Sequence, residues 1–139
     1  MGAHPMMFVN LPARDLVRSR AFYTSLGYAI NEEFSDPGAL CVDISDAIHV
    51  ILLSPEQFGS FVPGRQVIDP SNAVQVDLGL SAESRLAVDV LADKAMAAGA
   101  TAVRKPDDQG FMYGRSFADP DGHIWEVLWV DMAAARTKC

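Results

Sequence analysis

The chain has 139 residues, half of them hydrophobic and about a fifth charged, with a formal net charge of −7. That length supports one domain with a real core, while the acidic balance and the lack of any Lys/Arg run argue against nucleic acid as a partner. No apolar run approaches the roughly 20 residues that cross a bilayer, the opening MGAHPMMFVN lacks the pattern of a secretory signal, and the two cysteines, Cys41 and Cys139, build no disulfide framework, so a cytoplasmic location without membrane contact is expected.

Residues 7–12 read as a short strand ended by Pro12. Asp15 is a helix N-cap, and Leu16, Val17, Ala21, Phe22 and Leu26 recur at helical spacing up to a stop at Gly27. Strand-like segments follow at 28–35, 39–45 and 48–54, broken by SDPG and by Ser45-Asp46. Residues 55–72 read as an irregular crossing loop with apolar anchors at Phe58 and Phe61. The pattern then restarts. Residues 73–80 alternate as a strand, 82–98 form an Ala-rich helix with Leu86, Val90, Leu91 and Met96 as its apolar positions, and Gly99 stops it. Three more strands are expected at 101–105, 111–118 and 123–131. Each half, 7–54 and 73–131, is thus strand, helix and three strands. The fold class is α+β, a single domain made of one duplicated module rather than a short-period solenoid.

The stretch FADPDGHIWEVLWV, residues 117–130, carries the best chemical clue. Pro120 and Gly122 suit a tight turn, and alternation after it puts Ile124, Glu126, Leu128 and Val130 on one face, with His123, Trp125, Val127 and Trp129 on the other. A carboxylate in so apolar a strand is costly unless paired, protonated or bound to a metal. There is no phosphate loop, no strand–GxGxxG–helix unit and no GxSxG.

The segments DLVRSRAFYTSLGY, VDVLADKAMAAGA and GFMYGRSFADPDGHIWEVLWVD, with the two-module layout, resemble the vicinal oxygen chelate superfamily of glyoxalases, extradiol dioxygenases and bleomycin-resistance proteins over about residues 7–131. The resemblance implies two βαβββ modules whose curved mixed sheets form a cleft, often a homodimer, and a divalent metal (Mn, Mg, Fe, Ni or Zn) held by His, Gln or Glu from the first and last strands of each module. Carried over, Glu126 matches the last ligand position, and Gln75, with Asp77 two residues on, stands in the first strand of the second module. The other two positions fall on Phe8 and near Val50, which cannot bind a metal.

Alternation puts Phe8, Asn10, Gln75, Asp77 and Glu126 on cleft faces; the oxygen set of Asn10, Gln75, Asp77 and Glu126 favours Mg²⁺, Ca²⁺ or Mn²⁺ over Zn²⁺. Glu126 reads either as a metal ligand and catalytic base or as the partner of Arg115. Phe111, Tyr113 and Arg115 share a face and read either as a grip on a planar anionic or carbonyl ligand or as ordinary packing. His49 reads as a satisfied core histidine, His123 as a turn residue at the solvent edge, Trp125 and Trp129 as packing under a helix, and Cys41 and Cys139 as thiols without an activating neighbour. Two functions follow: a metal-dependent lyase or dioxygenase acting on a small substrate with adjacent oxygens, or a metal-free protein that sequesters a small cationic compound with a carboxylate and aromatic rings.

Overall fold

Asp15 starts the first helix as its position predicts: its side chain accepts the Arg18 backbone N–H at 3.1 Å, and Gly27, at φ +100°, ends the segment. The computed structural model describes residues 2–136, so Cys139 lies outside the described residues. Contacts divide the chain into two units, Met1–Asp69 and Pro70–Cys139. The first contains β1 (Met7–Pro12), α1 (Leu16–Ser25), β2 (Ala29–Ile30), β3 (Ala39–Asp43), β4 (Ile48–Leu53) and α2 (Pro55–Phe61). Its sheet order is β1-β4-β3-β2, with β1 parallel to β4 and the other pairs antiparallel. The second contains β5 (Asp77–Ser81), α3 (Arg85–Ala97), β6 (Thr101–Ala102), β7 (Asp107–Asp108), β8 (Met112–Ala118), β9 (Ile124–Val130) and α4 (Met132–Ala135). Its order is β5-β9-β8-β6, with β7 also on β8 and β5 parallel to β9. The βαβββ order thus occurs in both units, the second with the added two-residue strand β7, giving an α+β fold with two mixed sheets.

Register fixes the faces. In the first unit Leu11, Leu52 and Leu40 lie side by side, as do Val50 and Val42, and all five are buried. In the second, Val88 and Ala92 of α3 pack on Val127, with Tyr113 and Trp129 against them. Both helices are rotated from the faces that their large apolar residues predict. On α1, Ser19, Phe22, Tyr23 and Leu26 are buried while Val17 is 81% exposed; these four recur at helical spacing, and Ser19 is tolerated because its hydroxyl donates to the Asp15 carbonyl at 3.1 Å. On α3 the buried residues are Val88, Ala92 and Ala95, whereas Leu86, Val90 and Met96 face outward. Small residues let that helix approach its sheet closely.

Several boundaries also move. The strand expected over 28–35 ends at Ile30, because the Asn31 side chain accepts the Glu33 and Phe34 N–H groups and caps a 3₁₀ turn, Glu32–Phe34. Residues 55–72 are not all loop: Ser54 caps α2 by accepting the Gln57 N–H at 3.2 Å, with Pro55 in the first turn. The strand expected over 73–80 begins only at Asp77. Among the described residues, no helix is long and apolar enough to cross a membrane.

Candidate functional site

The turn before β9 is built by Asp119, whose carboxylate oxygen accepts the backbone N–H groups of Asp121, Gly122 and His123 at 2.9–3.0 Å. It delivers β9 into the middle of its sheet, between β5 and β8. Glu126 then lies opposite Gly79 on β5 and Ser116 on β8. Residues opposite one another point to the same side. One face therefore carries Asp77, Glu126, Ser116, Ile124 and Leu128, and the other carries Trp125, Val127 and Trp129 with Tyr113 and Arg115.

Glu126 is half-buried and its carboxylate is paired with the Arg104 guanidinium. Arg104 comes from the irregular segment between β6 and β7. The pairing of Glu126 with Arg115 is thus corrected. Arg115 lies opposite Val127, on the helix-covered face, and donates to Asp89 at 3.1 Å and Asp93 at 2.8 Å on α3. Tyr113 donates to the same Asp89 at 2.7 Å. That hydrogen bond, with help from Arg115, holds the Asp89 carboxyl below its ordinary range, and it pushes the Tyr113 hydroxyl up. Tyr113 and Arg115 therefore belong to the α3–sheet contact rather than to the Glu126 face. Phe111 precedes β8, and its carbonyl accepts the Asp131 N–H at 2.7 Å.

Ser116, beside Glu126, is buried and its hydroxyl has no hydrogen-bond partner among the described residues. A pocket of about 90 Å³ opens at this edge of β8, lined by Ala92, Met96, Arg104, Arg115, Ser116 and Phe117.

The oxygen set expected around Glu126 does not assemble within this unit. Gln75 lies before β5 and has no place in its ladder; Asp77 is opposite Ile124, one pleat away from Glu126. The positive Arg104 already holds the Glu126 carboxylate. A divalent cation at Glu126 would have to displace Arg104.

In the first unit, Phe8 is opposite His49 and Asn10 opposite Ile51. Val50, the neighbour expected near the fourth ligand position, points into the buried Leu40 side of the sheet. Phe8 and Asp77 stand equally far ahead of their helix N-caps, Asp15 and Ser84, so the two modules match there. Phe8 stacks on His49 with ring centroids 5.2 Å apart.

That face also brings together three residues the sequence reading left apart. Cys41 and Asp43 alternate on β3, and Asp43 lies directly opposite His49. His49 Nδ1 is 2.7 Å from Asp43 Oδ1, and Cys41 Sγ is 3.9 Å from the same oxygen. Cys41 thus has polar neighbours after all. Burial, then the Asp43 charge and hydrogen bond, push its thiol up. His49 is only partly satisfied: its Nε2 is buried with no partner among the described residues. The available signal was the Ser45-Asp46 turn, which folds β4 back so that residue 49 meets residue 43. His123 is buried rather than at the solvent edge.

Residues 6–45 match the family described as bleomycin resistance protein-like N-terminal. No curated protein matches the chain. The fold is similar to that of a hypothetical protein from S. aureus (29% identity, 92% of this chain and 95% of that one, TM-score 0.76). It is also similar to a glyoxalase-related enzyme from Fulvimarina pelagi (25% identity, 89% and 86%, TM-score 0.76). A glyoxalase/bleomycin resistance protein/dioxygenase family enzyme from Burkholderia phytofirmans PsJN shares the fold as well (24% identity, 88% and 96%, TM-score 0.71). Residues 6–45 are thus similar to bleomycin resistance protein-like N-terminal segments, and the fold is similar to that of glyoxalase-related structures.

Proposed function

We propose that this chain is a binding protein for a small cationic molecule with an apolar body, and that Glu126 receives that cation without a metal ion. The observation that carries this reading is the Arg104–Glu126 pair, which occupies the ligand position of the last strand. Arg104 is 52% exposed, and pairs of that kind contribute only about 0–1 kcal/mol. A ligand cation can therefore displace Arg104 at small cost. Asp77 adds a second negative charge on the same face, and Ile124 and Leu128 supply apolar contact beside it. The Ser116 hydroxyl, buried and unpartnered among the described residues, offers a hydrogen bond that is not yet made. The net charge of −7 favours capture of cations.

The alternative is a metal-dependent lyase or dioxygenase, in which Glu126 ligates the ion. Asp77 favours it, because it stands where the module repeat puts the other ligand of this sheet. Binding of cationic, neutral and anionic aromatic compounds by calorimetry separates the two. The binder reading expects cationic compounds to bind, weakened by salt, lost in Glu126→Gln and tightened in Arg104→Gln, where the internal competitor is gone. Weaker cation binding in Arg104→Gln refutes it. Uptake of about one metal per chain that disappears in Glu126→Gln supports the lyase or dioxygenase reading instead. Location in the cytoplasm and assembly as a homodimer remain part of the proposal; size-exclusion chromatography with light scattering tests the second.

A further inference from the structure

We propose that Cys41, Asp43 and His49 form a binding site for a borderline-soft divalent cation such as Zn²⁺, separate from Glu126. Three corners of one cross-strand rectangle supply the donors. Cys41 and Asp43 are alternate residues of β3, and His49 on β4 faces Asp43 and is diagonal to Cys41. Their donor atoms all lie within 4.8 Å of one another. Metal–ligand bonds of about 2.0–2.3 Å set at a tetrahedral angle place donors about 3.3–3.8 Å apart. The Sγ–Oδ1 separation of 3.9 Å is already close to that. The 2.7 Å contact between His49 and Asp43 has to open by at least about 0.6 Å as the ion replaces the proton between them.

Thiolate with imidazole selects Zn²⁺ over Mg²⁺ or Ca²⁺. His49 is buried, its ring is fixed by the Phe8 stack, and its Nε2 makes no hydrogen bond among the described residues. Nδ1, now shared with Asp43, is the nitrogen that takes the ion, and Nε2 keeps the ring proton. The fourth corner, opposite Cys41, is Ile51. This sheet therefore supplies three ligands and leaves one position for water or a bound molecule.

The test is Co²⁺ and Zn²⁺ binding to the full chain, kept reduced. One Co²⁺ per chain should bind with a thiolate-to-cobalt charge-transfer band and tetrahedral visible bands, and Zn²⁺ should displace it. Cys41→Ser should abolish the charge-transfer band and weaken Zn²⁺ more than ~100-fold, beyond what loss of an orienting neighbour alone does. His49→Gln should also weaken binding, while Cys139→Ser and Glu126→Gln should leave the spectrum intact. Melting curves without metal check that each variant folds. Wild-type protein that binds no stoichiometric metal, or binds cobalt without the thiolate band, overturns the proposal. So does a band that disappears in Cys139→Ser, or uptake that depends on Glu126. Wild-type protein that takes up the metal ion but binds no cationic compound would reject the proposed function and leave this site standing.

Discussion

Gly122 is the residue on which the placement of Glu126 depends most directly, because it closes the turn that sets the register of β9. Its φ is +107°, and a Cβ built on it would lie 2.7 Å from the Pro70 carbonyl oxygen and 2.8 Å from the Pro70 carbonyl carbon and the Ser71 Cα. Gly122→Ala therefore meets two separate penalties. The left-handed backbone costs an L-residue about 1–2 kcal/mol. The clash is with backbone atoms, which do not swing aside, and overpacking of that kind costs about 1–3 kcal/mol. Gly99→Ala is the control within the same unit. Its φ is +105° and nothing lies within 4 Å of its Cβ, so it meets only the first penalty. Equilibrium urea unfolding should thus give a loss of about 1–2 kcal/mol for Gly99→Ala and about 2–5 kcal/mol for Gly122→Ala. Equal losses would refute the reasoning, because the close approach of residues 70 and 71 to this turn would then contribute nothing.

The Arg104–Glu126 pair should show a coupling of about 1 kcal/mol or less in a double-mutant cycle with Arg104→Ala and Glu126→Ala, as half-exposed pairs do; a coupling well above that would make Arg104 too firmly held to be displaced by a ligand. Ser116→Ala should leave stability unchanged or raise it by about 1 kcal/mol, since it removes a buried hydroxyl that makes no bond among the described residues, and a large loss would show that the hydroxyl is bonded. Asp108 accepts two bonds from Arg85 and one from the Gly110 N–H, which bring its carboxyl down to about 2. The unfolded chain titrates near 3.9, so this contribution to stability is complete above about pH 4 and is lost as pH falls through about 2. NMR titration of Asp108, or acid unfolding with and without Asp108→Asn, checks the sign; a midpoint near 4 in the folded protein would contradict it. Cys41, its thiol pushed up by burial and Asp43, should be alkylated slowly at neutral pH in a Cys139→Ser background, with a midpoint above the ordinary ~8.5. A midpoint below that value would mean the thiolate is stabilised.

Local patterns in the sequence carried the fold well where one signal dominated. Asp15 and Gly27 bound α1, and Asp119 with Gly122 makes the turn before β9 as the DPDG motif predicts. The signal failed where a side chain competed with the backbone ladder. Asn31 ends a strand by capping the next turn, and Ser54 starts a helix in a segment otherwise full of loop residues. It also failed for helix faces: large apolar residues such as Leu86 and Val90 point outward because the close contact between α3 and its sheet is made by Ala92 and Ala95.

The candidate site divides along the same physical line. Glu126 was legible because alternation along one strand is a local property, so its face and apolar neighbours follow from residues 124–128 alone. Its partner was not, because Arg104 lies in a stretch with no period, and the nearer Arg115 is claimed by two aspartates on α3. Identifying a strand residue's partner takes register, and register is a property of two segments. The Cys41–Asp43–His49 cluster needs it twice over: the i, i+2 spacing puts Cys41 and Asp43 on one face, but only the pairing of residue 43 with residue 49 adds the imidazole. A shift of one residue in that hairpin would turn His49 to the opposite face and place Val50 or Ile48 against Asp43. The cluster is therefore a direct consequence of the short Ser45-Asp46 turn, and lengthening that turn by one residue should separate the imidazole from Cys41 and Asp43.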